Sequence, residues 1–124
     1  MERSYLITMC LLIIHQIDAA FWKEWEMFYL PGGVQAYLLF NIIVIPILLL
    51  GYRSIIKANQ TAVKYSYLCA GLGIVTFTIH AVFLASGYEQ FKLPLSLFII
   101  CSCLFSSAWQ VIDTRKQSNV MELA

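Results

Sequence analysis

Charge is what this sequence has least of. Lys, Arg, Asp and Glu make up 12 % of its 124 residues, where a soluble domain carries roughly 25 %. Eight basic and seven acidic residues leave a formal net charge of +1, so the chain has no electrostatic footprint for nucleic acid. Histidine occurs twice and proline three times. No Cys-x-x-Cys is present. Cys10, Cys69, Cys101 and Cys103 all fall inside apolar stretches, where a thiol behaves as a small hydrophobe. Cys101 and Cys103, two apart on a helix, point away from each other. The cysteines therefore argue against a disulfide framework and against a quinone-linked thiol oxidoreductase. No segment alternates polar and apolar residues with period two, which excludes a transmembrane β-barrel.

What the chain does have is apolar sequence in long runs. It is 60 % hydrophobic with a mean hydropathy of +0.76. The excess gathers into four blocks, at about Tyr5–Trp22, Val34–Tyr52, Tyr67–Ala85 and Leu93–Ile112, each near the ~20 residues that cross hydrocarbon as a helix. The expected fold is all-α, a single domain over 1–124 forming a four-transmembrane-helix bundle, with the lipid bilayer as its main partner. The first block is the weakest in hydropathy because it contains His15 and Asp18. A cleaved signal peptide is the rival reading of that block. It fits poorly, because Glu2 sits beside Arg3 and an Asp precedes Ala19-Ala20 at an unfavourable cleavage position.

Basic residues set the expected orientation. Arg3, Arg53, Lys57, Lys64, Arg115 and Lys116 fall on one side and only Lys23 and Lys92 on the other. The positive-inside rule then puts both termini and the middle loop in the cytoplasm. Three charges in that loop suit anchoring at a membrane surface.

Into the first apolar block the sequence sets a polar stripe. At 100° per residue His15, Asp18, Trp22 and Glu26 fall within about 80° of one another, and Thr8 and Ser4 extend the stripe backwards. An ionisable group at membrane depth costs at least ~2.5–3.5 kcal/mol, so such residues mark a site by default. Leu30-Pro31-Gly32-Gly33 then turns the chain. The second helix brings Tyr37 and Asn41, with Pro46 in mid-span. The third carries Ser66, Cys69, Gly73, Thr76, His80 and Gly87 on one small, polar face of the kind membrane helices use for close packing. On the fourth, Ser102, Cys103, Ser106, Gln110 and Asp113 share a face, with Asp113 at the cytoplasmic end. A rise of 1.5 Å per residue puts His15, Asp18, Asn41 and His80 all roughly 5–12 Å below the outer interface. Residues from three helices at one depth are expected to converge.

Imidazole with carboxylate is a transition-metal ligand set that leaves positions open for water or substrate. His15-x-x-Asp18 has the i, i+3 spacing by which bundle helices present both groups to one ion. The expected site is His15, Asp18 and His80 as metal ligands for zinc or iron, with Glu26 as a further oxygen ligand or general base if the first helix continues through Trp25. Trp22, Trp25, Tyr37, Asn41 and Thr76 would line a place for a hydrophobic or amphiphilic small ligand. Two histidines can also ligate haem axially, although no Cys-x-x-Cys-His attachment motif is present. The competing readings are a metal-free acid–base or proton-carrying site, and buried polar groups that merely satisfy one another. The tryptophans can equally be interface anchors.

His15-Gln16-Ile17-Asp18-Ala19, followed by Lys23-Glu24-Trp25-Glu26-Met27-Phe28, resembles a group of uncharacterised bacterial small four-helix membrane proteins. These carry His-Glu/Gln-x-Asp-Ala in the first helix and then a Trp- and Glu-containing segment. The resemblance covers the four-helix layout, implies the bacterial inner membrane, and brings no activity. In architecture the chain also resembles the small multidrug transporters, which dimerise and use a carboxylate in helix one. A homodimer using Asp18 to carry a proton is thus an alternative, with Trp22 and Tyr37 facing a cation. The sterol-isomerase and sigma-2-like membrane folds offer an analogy of layout only, and a non-catalytic accessory subunit is a further alternative.

Overall fold

The computed structural model describes residues 1–122, with side chains through Asn119; the last two residues of the expected domain lie outside the described residues. Its elements are α1 (Glu2–Phe21), α2 (Glu24–Met27), α3 (Gly33–Ile56), α4 (Ala62–Ala85) and α5 (Pro94–Glu122), with no strand among the described residues. The helices α1, α3, α4 and α5 are each long and apolar enough to cross a membrane. The protein is an all-α, four-helix membrane bundle. Its helices outrun the apolar blocks, most at Ala62 and beyond Ile112. Backbone hydrogen bonding carries a helix on through polar residues once a packed span has nucleated it.

α1 and α4 lie on the short diagonal of the bundle. Each packs against the other and against both α3 and α5, whereas α3 and α5 do not touch among the described residues. This arrangement decides which faces meet at the centre: the polar stripe of α1 and the small face of α4. Hydrogen bonds identify the two ends. Ser4 donates to Asp113 (2.6 Å) at one end, and Ser96 donates to Asp18 (3.0 Å) at the other, beside α2.

Close approach is made by small residues and held by polar clamps. A Cβ on Gly73 would collide with the Ser107 hydroxyl and come within 3.2 Å of the Cys103 carbonyl. At Gly51 the Tyr5 hydroxyl occupies the space of a side chain and donates to the Leu48 carbonyl at 2.8 Å. Gln110 donates to the Ser66 carbonyl (2.9 Å), and Ser66 shares a hydrogen bond with Thr114 (2.6 Å), tying α4 to α5. Between membrane helices such pairs contribute on average about 0.6 kcal/mol each, so packing of the small faces carries most of the association. The perimeter is apolar and exposed, as at Ile42, Phe98 and Phe105, which is the surface hydrocarbon would cover.

Candidate functional site

α1 ends without proline or glycine. The amide of Trp22 donates to the Asp18 carbonyl and that of Lys23 to the Ala20 carbonyl. Lys23 then adopts a left-handed conformation, φ 52°, which costs a side-chain-bearing residue about 1–2 kcal/mol. This one residue redirects the chain. The short helix α2 starts immediately, and its first residue, Glu24, turns back into the bundle with 8 % exposure. Glu26 turns outward, its side chain 65 % exposed and 3.8 Å from the Lys23 ammonium. A place for Glu26 in the site requires a first helix that continues through Trp25. Because α1 stops at Phe21, the register is lost and Glu24 supplies the inward carboxylate.

Glu24 meets the two histidines. The rings of His15 (α1) and His80 (α4) are in edge-to-face contact, centroids 4.7 Å apart. Glu24 Oε1 lies 3.4 Å from His80 Nε2 and 4.0 Å from His15 Nε2. One ligand-capable atom from each of the three residues lies within 4.8 Å of the others, and all three residues are buried. Phe91, itself buried and left-handed (φ 64°), covers the pair, with centroids 5.8 Å from His15 and 4.3 Å from His80.

Hydrogen bonding assigns the tautomer of His80. Its Nδ1 lies 2.9 Å from the Thr76 carbonyl, and a carbonyl can only accept, so Nδ1 carries the proton. In the neutral ring, Nε2 then presents a lone pair toward Glu24. That nitrogen is buried and has no hydrogen-bond partner, as is Nδ1 of His15. A carboxylate oxygen and an imidazole lone pair 3.4 Å apart repel unless a proton or a cation lies between them. Burial above all, and then the negative charge of Asp18, push the Glu24 carboxyl up to about 7. Ligand bonds of ~2.1 Å at tetrahedral angles put neighbouring ligand atoms about 3.4 Å apart. The His80–Glu24 separation matches that spacing, and the 4.0 Å His15–Glu24 separation is only slightly wider.

The other expected residues are arranged around this centre. Asp18 lies outside the three-residue cluster: Oδ1 accepts from Ser96 on α5, while Oδ2 is buried without a partner. Trp22 packs on Phe91 (6.0 Å), its indole nitrogen buried and unpartnered. Trp25 packs on Tyr37 (5.2 Å), whose hydroxyl donates to the Gln16 carbonyl. Asn41 donates to the Tyr37 carbonyl at 3.0 Å. Thr76 contributes the carbonyl that orients His80, and it lines a cavity of about 140 Å³ that also touches His15, Gln16, Glu24 and His80. Glu24, Phe91 and Ser96 escape the sequence reading. No glycine or proline marks the break before Glu24, and nothing in the sequence distinguishes it from Glu26.

Comparison with known proteins adds a family. No curated protein and no solved structure matches the chain. A family model described as a family of unknown function (DUF6713) matches residues 1–117, and the chain belongs to that family.

Proposed function

We propose that this small integral membrane protein binds a divalent transition metal, zinc or iron(II), through His15, Glu24 and His80. The observation that carries the reading is the orientation of His80: its Nδ1 proton is committed to the Thr76 carbonyl, so a lone pair faces Glu24 Oε1 at 3.4 Å. Two imidazoles and one carboxylate are the ligand set of catalytic zinc and of non-haem iron sites, which keep open positions. Thr76 acts as the outer partner that fixes the tautomer of a ligating histidine. A bound ion there would polarise an oxygen of a molecule held beside it. The basic bias of the loops supports a position for this centre in the outer half of the membrane. Haem fits less well, because the two rings are in direct contact and leave no room for a macrocycle between them.

The runner-up is a metal-free site in which Glu24 holds a proton against His80 Nε2, favoured by the raised carboxyl of Glu24. The transporter alternative would need Asp18 facing a water-filled path at a dimer interface, whereas Ser96 of the same subunit hydrogen-bonds it. Metal analysis of detergent-purified protein separates the first two. The metal reading requires close to one zinc or iron per chain, lost in Glu24→Gln and in His80→Ala. Protein free of both metals after exposure to either leaves the proton-sharing site.

A further inference from the structure

The cavity at the metal-binding side chains does not end there. Gln16 lines it, and it also lines a larger cavity of about 400 Å³ and a narrow one of about 40 Å³, with Phe40 and Leu72 common to all three. The volume of the larger one lies within the range of small-ligand sites. Sharing these walls, the three adjoin as a cleft between α3 and α4 floored by α1, from Glu24 toward Val44 and Leu48 at mid-bundle. Its walls are apolar, and two of its wall residues, Phe40 and Val75, are about half exposed at 46 % and 52 %. On a membrane-spanning helix that exposure is toward hydrocarbon, so the cleft opens sideways into the bilayer. A second cavity, about 350 Å³ on the α4–α5 side, touches only His80 of the three and lacks this polar end.

Glu24 and the imidazoles of His15 and His80 sit at one end of the cleft, with Gln16 and Thr76 reaching further in, and the chemistry of that end selects a headgroup. No lysine or arginine is among the described residues that line the cleft, so nothing there pairs with an anionic headgroup. Gln16 Oε1 is buried and has no hydrogen-bond partner, so it is an acceptor in want of a donor. One uncharged group satisfies both demands: a hydroxyl, its oxygen on the metal and its hydrogen on Gln16.

We propose that the α3–α4 cleft binds a long-chain alcohol of the bilayer, with its hydroxyl between the His15–Glu24–His80 centre and Gln16 and its chain along Phe40, Leu72 and Val75. The headgroup half of this inference rests on the metal reading, while the chain half rests on the cleft alone. The test uses hexadecanol carrying a photoreactive diazirine in mid-chain, with the full-length protein in phosphatidylcholine vesicles. Cross-links are mapped and zinc content is measured on the same samples. Adducts are expected at Phe40, Leu72 and Val75, competed at least ten-fold better by hexadecanol than by its methyl ether, which has no O–H to donate. Gln16→Leu should erase that preference. Val75→Trp, a change at a half-exposed position of the cleft wall, should cut the adducts at least five-fold. Zinc absent with the cleft adducts retained removes the metal reading and upholds the chain site. Adducts spread evenly over lipid-facing residues such as Ile42 and Phe105, or protein–protein cross-links at Val75 from a second copy filling the cleft, overturn the proposal.

Discussion

Replacing Glu24 by Gln keeps the shape of the side chain and removes its charge, and the structure sets what should follow. Burial raises the Glu24 carboxyl from its ordinary 4.5 to about 7 in the fold. Between those values the folded protein holds a proton that the unfolded chain has lost, so stability falls as pH rises through that window and levels off above about 7. The whole effect is about 3–4 kcal/mol, at ~1.4 kcal/mol per pH unit of displacement. In metal-free protein, Glu24→Gln should therefore match wild type near pH 4.5 and exceed it by up to that amount at pH 8. Added metal reverses the order. An ion that binds only the folded state at a hundred times its dissociation constant contributes about 2.7 kcal/mol, and it needs the ionised carboxylate. The assay is thermal unfolding of chelator-stripped protein in detergent at several pH values, with and without zinc. Wild type and Glu24→Gln sharing one pH profile and one response to zinc would refute both the buried carboxylate and its role as a ligand.

Other expectations follow from neighbouring residues. Asp18→Asn removes the charge that helps hold the Glu24 proton, so the pH midpoint of zinc binding, followed by titration, should move down; an unmoved midpoint breaks that link. Lys23→Gly suits the left-handed backbone at φ 52° and should retain metal, whereas β-branched Lys23→Val is a poor fit there and should lower metal content by displacing Glu24. Equal metal in the two variants would show that the αL residue does not aim the carboxylate. Gly73→Leu forces a side chain against Ser107 and the Cys103 carbonyl and should destabilise the bundle by about 1–3 kcal/mol, visible as an earlier melting transition. Cysteines placed at Gly33 and Asn59 should label from opposite sides of the membrane, with Asn59 reacting only after permeabilisation; labelling of Asn59 in intact cells reverses the orientation.

The legible part of this protein is what periodicity and rise per residue control. Apolar runs near twenty residues give the four spans, and counting 1.5 Å steps from their ends brings His15 and His80 to one depth on facing helices. Residue order could not give the end of the first helix. Helix stops are read from glycine and proline, and α1 stops instead at Phe21, with an ordinary lysine, Lys23, taking the left-handed backbone just after it. Periodicity extended past Phe21 points to Glu26, and the fold brings in Glu24. Asp18 is a similar case. Its i, i+3 spacing from His15 is real, but Ser96, seventy-eight residues away in sequence, draws its carboxylate toward α5. Partners supplied by a distant helix leave no trace in local spacing.

The central claim is that His15, Glu24 and His80 hold one metal ion. X-ray absorption on protein loaded with zinc tests it most directly. The expected spectrum shows one zinc per chain, with two imidazole nitrogens and one carboxylate oxygen among its ligands at ~2.0–2.1 Å, and loss of the carboxylate contribution or of the zinc in Glu24→Gln. A sulfur shell at ~2.3 Å, a shell without imidazole, or no retained zinc would contradict it.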